Sequence, residues 1–211
     1  MHSQGRLAPE RRTTAAAALV GGALVALFLI PAPYFVAGTF AVMLLMIVAA
    51  YWSGGYSRVH RPSAKQVALG AGSALLLYAV FYGGNAIIHS VQFLGFGAAE
   101  QASIYSLISS PSNPVGVQLA VLAFDAVGYE SFFRGVLQNR LTPRLGVGAA
   151  FAVALFDAGL HVATLNPLWV VTTFVADAVW GLTYYYGRGL PTSLTSHFLW
   201  DVAIFVLRPI A

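Results

Sequence analysis

The chain has 211 residues, of which 58% are hydrophobic and only 9% are charged. A water-soluble domain carries about 25% charged residues, so this composition excludes a soluble globular protein and indicates a protein of the membrane. The net charge of +4 is then explained by basic residues in cytoplasmic loops rather than by binding to nucleic acid. The absence of cysteine excludes disulfide bonds, thiolate zinc sites and a cysteine nucleophile.

Apolar segments long enough to cross a bilayer, which takes about 20 residues, recur along the chain and predict an all-α polytopic bundle of about seven transmembrane helices. Their approximate bounds are 14–31, 34–52, 66–88, 115–139, 146–165, 168–187 and 190–208. Pro31-Ala32-Pro33 predicts a tight turn between the first two spans, and the polar connection 89–113 contains several helix breakers.

These spans divide the chain into four regions. The predicted regions are a cytoplasmic tail (1–13), an N-terminal transmembrane hairpin with a basic cytoplasmic loop (14–65), a third span with an external loop (66–113) and a four-helix core (114–211). The last four spans follow each other closely, which indicates one compact bundle.

Basic residues mark one side of the membrane. If all seven spans are real, nine of the eleven Lys and Arg residues fall on the same side: Arg6, Arg11, Arg12, Arg58, Arg61, Lys65, Arg140, Arg144 and Arg188. Arg208 falls on the other side, and Arg134 lies inside a span. Because cytoplasmic loops are enriched in basic residues, we expect a multi-pass protein of the cell membrane with a cytoplasmic N-terminus.

Ionisable side chains also occur at membrane depth. They are Asp125, Glu130, Asp157, Asp177 and Asp201, with Arg134, His161 and His197. A charged side chain at the bilayer centre costs at least about 2.5–3.5 kcal/mol, so we expect these groups to face one another or a water-filled cavity. The set favours chemistry or transport over hydrogen bonding between helices alone.

Three of these spans carry two polar residues four positions apart, which places each pair on one helix face. The pairs are Glu130 with Arg134, Asp157 with His161, and His197 with Asp201. A carboxylate beside an imidazole fixes its tautomer and raises its basicity, so the two His–Asp pairs indicate function. Glu130 and Arg134 are equally well explained as a structural ion pair. We expect Asp177 to bind another polar side chain, whereas no role for Asp125 follows from the sequence.

Three motifs on these spans resemble those of the CAAX-protease and bacteriocin-processing family of intramembrane glutamate endopeptidases. Residues 129–135, Tyr-Glu-Ser-Phe-Phe-Arg-Gly, are similar to its Glu-Glu-x-x-x-Arg motif, the segment ending at His161 to its Phe-x-x-x-His motif, and residues 197–201 to its His-x-x-x-Asn/Asp motif. The resemblance covers about 115–205. It departs at Tyr129, where the family has its first glutamate, and at Asp157, where the family has phenylalanine.

The resemblance implies an endopeptidase that hydrolyses a peptide bond in a membrane-associated peptide or protein, using water activated by a carboxylate and a histidine. The implied catalytic residues are Glu130, His161, His197 and Asp201, with Arg134, Asp157 and Tyr129 in supporting roles. His197 would donate a hydrogen bond to the developing oxyanion.

Three alternatives for the base remain open. In our hypothesis Asp157, one turn from His161, replaces the glutamate missing at Tyr129. Alternatively Glu130 is the base, although adjacent residues of an α-helix point about 100° apart, or the chain has no proteolytic activity.

We expect no cofactor, but a zinc site would use His161, His197 and Glu130. The competing functions are a catalytically silent binding or immunity scaffold of the same fold and a transporter.

Overall fold

The computed structural model describes residues 4–54, 61–90, 97–108 and 114–210, and within these ranges all regular structure is helical. The α-helices are α1 (Gln4–Leu29), α2 (Phe35–Trp52), α3 (Ala64–Ser90), α4 (Ala98–Ile108), α5 (Val115–Tyr129), α6 (Asn139–Leu145), α7 (Gly148–His161), α8 (Pro167–Gly187) and α9 (Leu190–Val202). Between α5 and α6 the segment Glu130–Gln138 is a π-helix, called here the π segment, and Ala203–Leu207 after α9 is also π-helical. The predicted all-α architecture is confirmed.

Five helical stretches are long and apolar enough, by length and composition, to cross a membrane. They are Glu10–Leu29, Ala32–Trp52, Ala64–Ile87, Val115–Leu145 and Leu190–Leu207, and they match five of the seven predicted spans. The predicted spans 146–165 and 168–187 are also helical, as α7 and α8, but they are not among the five. Gly148–Thr164 is shorter, and α8 carries Asp177 and three consecutive tyrosines, which lower its hydropathy.

The N-terminal helices end and begin close to the boundaries predicted from the sequence. The turn expected at Pro31-Ala32-Pro33 is present: α1 ends at Leu29, and a short 3₁₀ turn, Ala32–Tyr34, leads into α2. Helix α1 starts at Gln4, so most of the predicted tail 1–13 is helical. Arg58 of the predicted basic loop and residues 109–113 of the predicted connection lie outside the described residues.

Two apolar clusters hold the bundle together. The first joins α1 and α2 to the π segment, and its most deeply buried members include Val20, Leu24, Met43, Met46, Phe132 and Phe133. The second joins α3 and α8 to the C-terminal helix and includes Leu77, Ala176, Trp180, Trp200 and Ile204.

Helices approach most closely where one of them carries glycine, as is common in membrane bundles. A Cβ at Gly181 of α8 would lie 2.8 Å from the Cβ of Ala150 on α7, and a Cβ at Gly128 of α5 would lie 3.0 Å from the Cα of Met43 on α2. These contacts fix the distance between the helices that carry the candidate site.

Basic helix ends lie together at one end of the bundle, called here the basic end. The guanidinium of Arg12, in α1, lies 5.9 Å from the ring centroid of Trp52, the last residue of α2. Arg140 of α6 donates to the backbone oxygen of Ser53, and Arg144 pairs with Glu10 of α1. The three regions 4–12, 52–53 and 140–144 are therefore neighbours, as the predicted topology requires.

The short helix α4 covers the opposite end. It begins where the Glu100 carboxylate accepts a hydrogen bond of 2.6 Å from the backbone N–H of Gly97, which holds the pKa of Glu100 below its usual value. Asn166, at the start of α8, donates to the backbone oxygen of Glu100 and to the hydroxyl of Ser103. Helix α4 is thus attached across the end of the bundle by polar contacts.

Candidate active site

A cavity of about 350 Å³ extends between α4 and the middle of the bundle, with walls supplied by α1–α5 and α7–α9. Most of its lining is apolar. Its polar lining includes six of the side chains considered above: Asp125, Tyr129, Asp157, His161, His197 and Asp201. Glu130 and Arg134 are completely buried and do not line it. The structure therefore divides the predicted site residues into a group at the cavity wall and a group behind it.

The first motif lies where the chain changes from α-helical to π-helical geometry. Tyr129 is the last residue of α5, and Glu130 is the first residue of the π segment. Such wider turns occur often at functional sites. Both side chains reach His197: the Tyr129 ring centroid is 5.9 Å from the imidazole centroid, and Glu130 Oε1 is 3.0 Å from Nδ1. Although adjacent side chains of an α-helix point in different directions, Tyr129 and Glu130 therefore both contact His197.

His197 is held between carboxyl groups on both of its ring nitrogens. Nδ1 donates to Glu130, while Nε2 lies 3.4 Å from Asp201 Oδ2 and 3.6 Å from Asp125 Oδ2. The ring stacks on Trp180 with centroids 3.6 Å apart and planes 13° from parallel. The imidazole therefore has a fixed position, and the Nε2 distances are longer than an ordinary hydrogen bond.

Asp125 is the site residue that the sequence interpretation missed. It lies on α5 four residues before Tyr129, so both side chains share the helix face that lines the cavity. The four-residue spacing of Asp125 and Tyr129 was the sequence feature that could have identified Asp125, but none of the three motifs includes it. Its side chain is 25% exposed, in contrast with 5% for Asp201.

Asp157, His161 and Tyr129 form the second polar group. The Tyr129 hydroxyl donates to Asp157 Oδ1 at 3.1 Å. His161 Nδ1 bonds to the backbone oxygen of Asp157 at 3.0 Å, whereas the carboxylate oxygen Oδ1 is 3.6 Å away. A carbonyl oxygen only accepts, so Nδ1 carries the proton, and Nε2 of the neutral ring is an acceptor. The tautomer is fixed by the backbone oxygen of Asp157, whereas the sequence interpretation had expected its carboxylate to fix it.

The ring of His161 is further positioned by aromatic neighbours. Phe28 of α1 lies 4.6 Å away, and Trp169 of α8 lies 5.9 Å away, measured between ring centroids. Helix α1 thus contributes directly to the site, although no motif was found in residues 1–65.

Arg134 is the cation behind the cavity wall. It donates to Gln138 Oε1 at 3.1 Å and to Asp177 Oδ1, and its Nε lies 3.6 Å from Glu130 Oε2. Gln138 in turn donates to the backbone oxygen of Gly181 at 2.8 Å. The expectation that Asp177 binds a polar side chain is confirmed. Arg134 therefore connects the π segment to α8 and compensates two buried carboxylates.

Residues 111–203, which contain all three motifs, match the family model described as type II CAAX prenyl endopeptidase Rce1-like. The predicted family resemblance is confirmed. No curated protein and no solved structure matches the chain. With its five membrane-length apolar helices, the chain is a multi-pass membrane protein that carries a CAAX-endopeptidase-like core.

This CAAX-endopeptidase-like core comprises α5 to α9, and α1–α4 precede the matched segment. Within the core, the second and third motifs supply the two cavity histidines, His161 and His197, and the third also supplies Asp201. The cavity carboxylates Asp125 and Asp157, in contrast, do not match motif residues. The position of the family's first glutamate is occupied by the phenol ring of Tyr129, whose hydroxyl contacts Asp157.

The potential metal ligands differ from the predicted set. Within the described ranges the one group of three ligand atoms close enough to share an ion comes from Asp125, His197 and Asp201, whose atoms lie within 4.8 Å of one another. His161 and Glu130 do not form such a group with His197. The reason is geometric: Glu130 bonds to Nδ1 of His197, while His161 lies on α7 beside Asp157.

Proposed function

We propose that this protein is an intramembrane endopeptidase in which Asp157 and His161 activate the attacking water. The observation that carries the proposal is the 3.1 Å hydrogen bond from Tyr129 to Asp157. It means that the side chain at the family's glutamate position and the additional carboxylate on α7 reach the same point of the cavity wall. A carboxylate supplied by Asp157 therefore lies within reach of the place where the family's carboxylate would be expected.

Glu130 supports the reaction from behind the wall. Its side chain is completely buried, and its two oxygens face His197 Nδ1 and Arg134 Nε. Asp157 is equally buried, but it lines the cavity and Glu130 does not, so a water molecule in the cavity reaches Asp157 rather than Glu130. We therefore assign Glu130 as a positioning residue that holds the imidazole of His197, and we assign the role of base to Asp157.

In the proposed reaction, water donates one hydrogen bond to His161 Nε2 and transfers its other proton to the Asp157 carboxylate. The resulting hydroxide oxygen bonds to the scissile carbonyl carbon. His197 acts as an imidazolium, in which Nδ1–H donates to Glu130 and Nε2–H donates to the oxyanion. The carboxylate oxygens nearest to Nε2 are too distant for an ordinary hydrogen bond to it. Asp201, whose Oδ2 lies 3.4 Å from Nε2, stabilises the positive charge of His197 rather than contacting the oxyanion, because a carboxylate only accepts. The carbon–nitrogen bond then breaks, and the proton held by Asp157 passes to the leaving amine.

The cavity suits a substrate that reaches the site from the membrane. Its walls are mainly apolar and include α1, α2 and α8 side chains such as Leu24, Phe35 and Leu168. We propose a membrane-associated peptide or protein as substrate, with the enzyme in the cell membrane and its basic end and N-terminus in the cytoplasm.

A carboxylate exchange tests the proposal. Cleavage of a library of apolar fluorogenic peptides by protein in liposomes is compared for the wild type, Asp157→Asn, Tyr129→Glu/Asp157→Asn and Tyr129→Phe/Asp157→Asn. Loss of the base should reduce kcat by about 10²–10⁴-fold in Asp157→Asn. Restoring the family's glutamate at 129 should recover activity, whereas the matched phenylalanine variant should not.

Full activity in Asp157→Asn would show that Asp157 is not the base. The unfolding temperature of each purified variant is the control, because a misfolded protein would also be inactive.

Tyr129 also favours a second candidate function, a catalytically silent binding or immunity scaffold of the same fold. A folded wild-type protein that cleaves no peptide of the library, and in which Tyr129→Glu creates activity, would support this second function. The two functions are therefore distinguished by whether the wild type cleaves the library or only Tyr129→Glu does.

A further inference from the structure

A groove of about 1000 Å³ lies at the basic end, far from the motifs, where α1, α2 and α6 meet. Its polar lining includes Arg12, Arg140 and Ser53, and its apolar lining comes from α1 and α2 and includes Ala16, Leu19, Leu45 and Val48. Among the residues that the structure describes, no acidic side chain contributes to this lining. The groove therefore combines concentrated positive charge with an apolar wall.

Both arginines are free to bind an anion. Arg12 and Arg140 are exposed, and among the described residues neither forms an ion pair with a carboxylate. Arg140 is held in place by its 3.1 Å hydrogen bond to the backbone oxygen of Ser53, and Arg12 is held over the face of Trp52. Each contact fixes the side chain without neutralising its charge.

Ser53 provides a third, independent observation. Its side chain lines the groove and is only 5% exposed, yet within the described part of the chain its hydroxyl has no hydrogen-bond partner. Ser53 follows the last residue of α2 and precedes Gly54, whose φ of +76° makes the sharp turn that ends the helix. A buried hydroxyl without a partner costs about 1–3 kcal/mol, and an acceptor oxygen placed between the two arginines would satisfy it.

We propose that this groove binds an anionic phospholipid, with the headgroup phosphate between Arg12, Arg140 and Ser53. Guanidinium groups and a hydroxyl are suitable donors for phosphate oxygens. The groove lies at the ends of two membrane-length helices, where phospholipid headgroups lie and where tryptophan is enriched. The apolar wall formed by α1 and α2 accommodates the acyl chains, which a free phosphate ion would leave uncovered. The site does not depend on the proteolytic function proposed above.

Native mass spectrometry of the protein in detergent tests the proposal. Dioleoylphosphatidylglycerol and dioleoylphosphatidylcholine are titrated into the wild type, Arg12→Gln/Arg140→Gln, and the matched control Arg144→Gln/Arg188→Gln, which removes the same charge from exposed residues outside the groove. The groove variant should bind phosphatidylglycerol about thirtyfold more weakly, given the contribution of each basic residue near a phospholipid surface. The control variant should change binding less than twofold, and Ser53→Ala should weaken it about threefold.

Three results would overturn the proposal. Equal loss in the two double variants would mean that binding follows net charge rather than the groove. Equal affinity for phosphatidylcholine would remove the requirement for an anionic headgroup. Displacement of the lipid by millimolar inorganic phosphate would identify a site for free anions. Unchanged unfolding temperatures of the variants show that each comparison is made on folded protein.

Discussion

Replacing Arg134 by methionine removes the guanidinium while keeping a long, unbranched and adaptable side chain. The exposed fraction is 0% for Arg134 and for both of its carboxylate partners, Glu130 and Asp177. Breaking a buried ion pair costs about 3–5 kcal/mol because it leaves an uncompensated charge, and here two carboxylates lose the same cation. We therefore expect Arg134→Met to lower the free energy of unfolding by about 3–5 kcal/mol.

The assay is unfolding in mixed micelles with increasing SDS, followed by circular dichroism. Arg144→Met is the matched control, because Arg144 and Glu10 form an ion pair whose side chains are 76% and 59% exposed; such pairs contribute about 0–1 kcal/mol. The double variant Arg134→Met/Asp177→Leu should be more stable than Arg134→Met, since it removes one of the stranded carboxylates. If Arg134→Met and Arg144→Met lose equal stability, Arg134 is not the cation on which the core depends.

Two further substitutions test the packing and the site. Gly181→Ala should destabilise the protein by about 1–3 kcal/mol, because its Cβ would lie 2.8 Å from that of Ala150. The control Gly159→Ala, with open space around its Cβ, should be neutral or slightly stabilising in the same SDS titration. Glu130→Gln keeps an acceptor oxygen for His197 Nδ1 but removes the negative charge beside the imidazolium. It should therefore lower kcat about a hundredfold at unchanged KM, whereas a raised KM would place Glu130 in contact with substrate.

The sequence was sufficient to predict most of the polar site because charged residues are rare at membrane depth. Once the spans were located, His161, His197 and Asp201 could be identified from their spacing and from the family motifs. The same argument applied to Asp177, whose partner had to be another polar group. To predict that these residues are buried, it was enough to assume that charged side chains of a membrane helix face the interior of the bundle.

Features that depend on tertiary contacts could not be read from the sequence. The π-helical turn at Glu130 has no compositional signature, since it arises where the helix accommodates its neighbours. The hydrogen bond of His161 to the backbone rather than to the carboxylate of Asp157 is a choice between side-chain rotamers. The spacing of Asp125 and Tyr129 could place Asp125 on the helix face of the site, but its contact with His197 joins α5 to α9 and could not be predicted from local spacing.

Two of the seven predicted spans, 146–165 and 168–187, differ from the other five for a physical reason. Helices α7 and α8 pack closely against each other through Ala150 and Gly181, and each buries a carboxylate, Asp157 on α7 and Asp177 on α8. Helix α7 belongs to an apolar stretch, Gly148–Thr164, that is shorter than the five accepted spans, whereas Asp177 and three tyrosines lower the hydropathy of α8. Length and apolarity together therefore do not identify these two helices as spans.

The pairing of Arg134 with Asp177 also has a consequence for the order in which the protein assembles during translation. Asp177 lies 43 residues after Arg134, an interval of roughly two to nine seconds at the usual rate of synthesis. During this time Arg134 can be compensated by Glu130 on its own helix but not by α8. The segment containing α5 and α6 therefore reaches its stable position in the membrane only after a helix that is synthesised later has arrived.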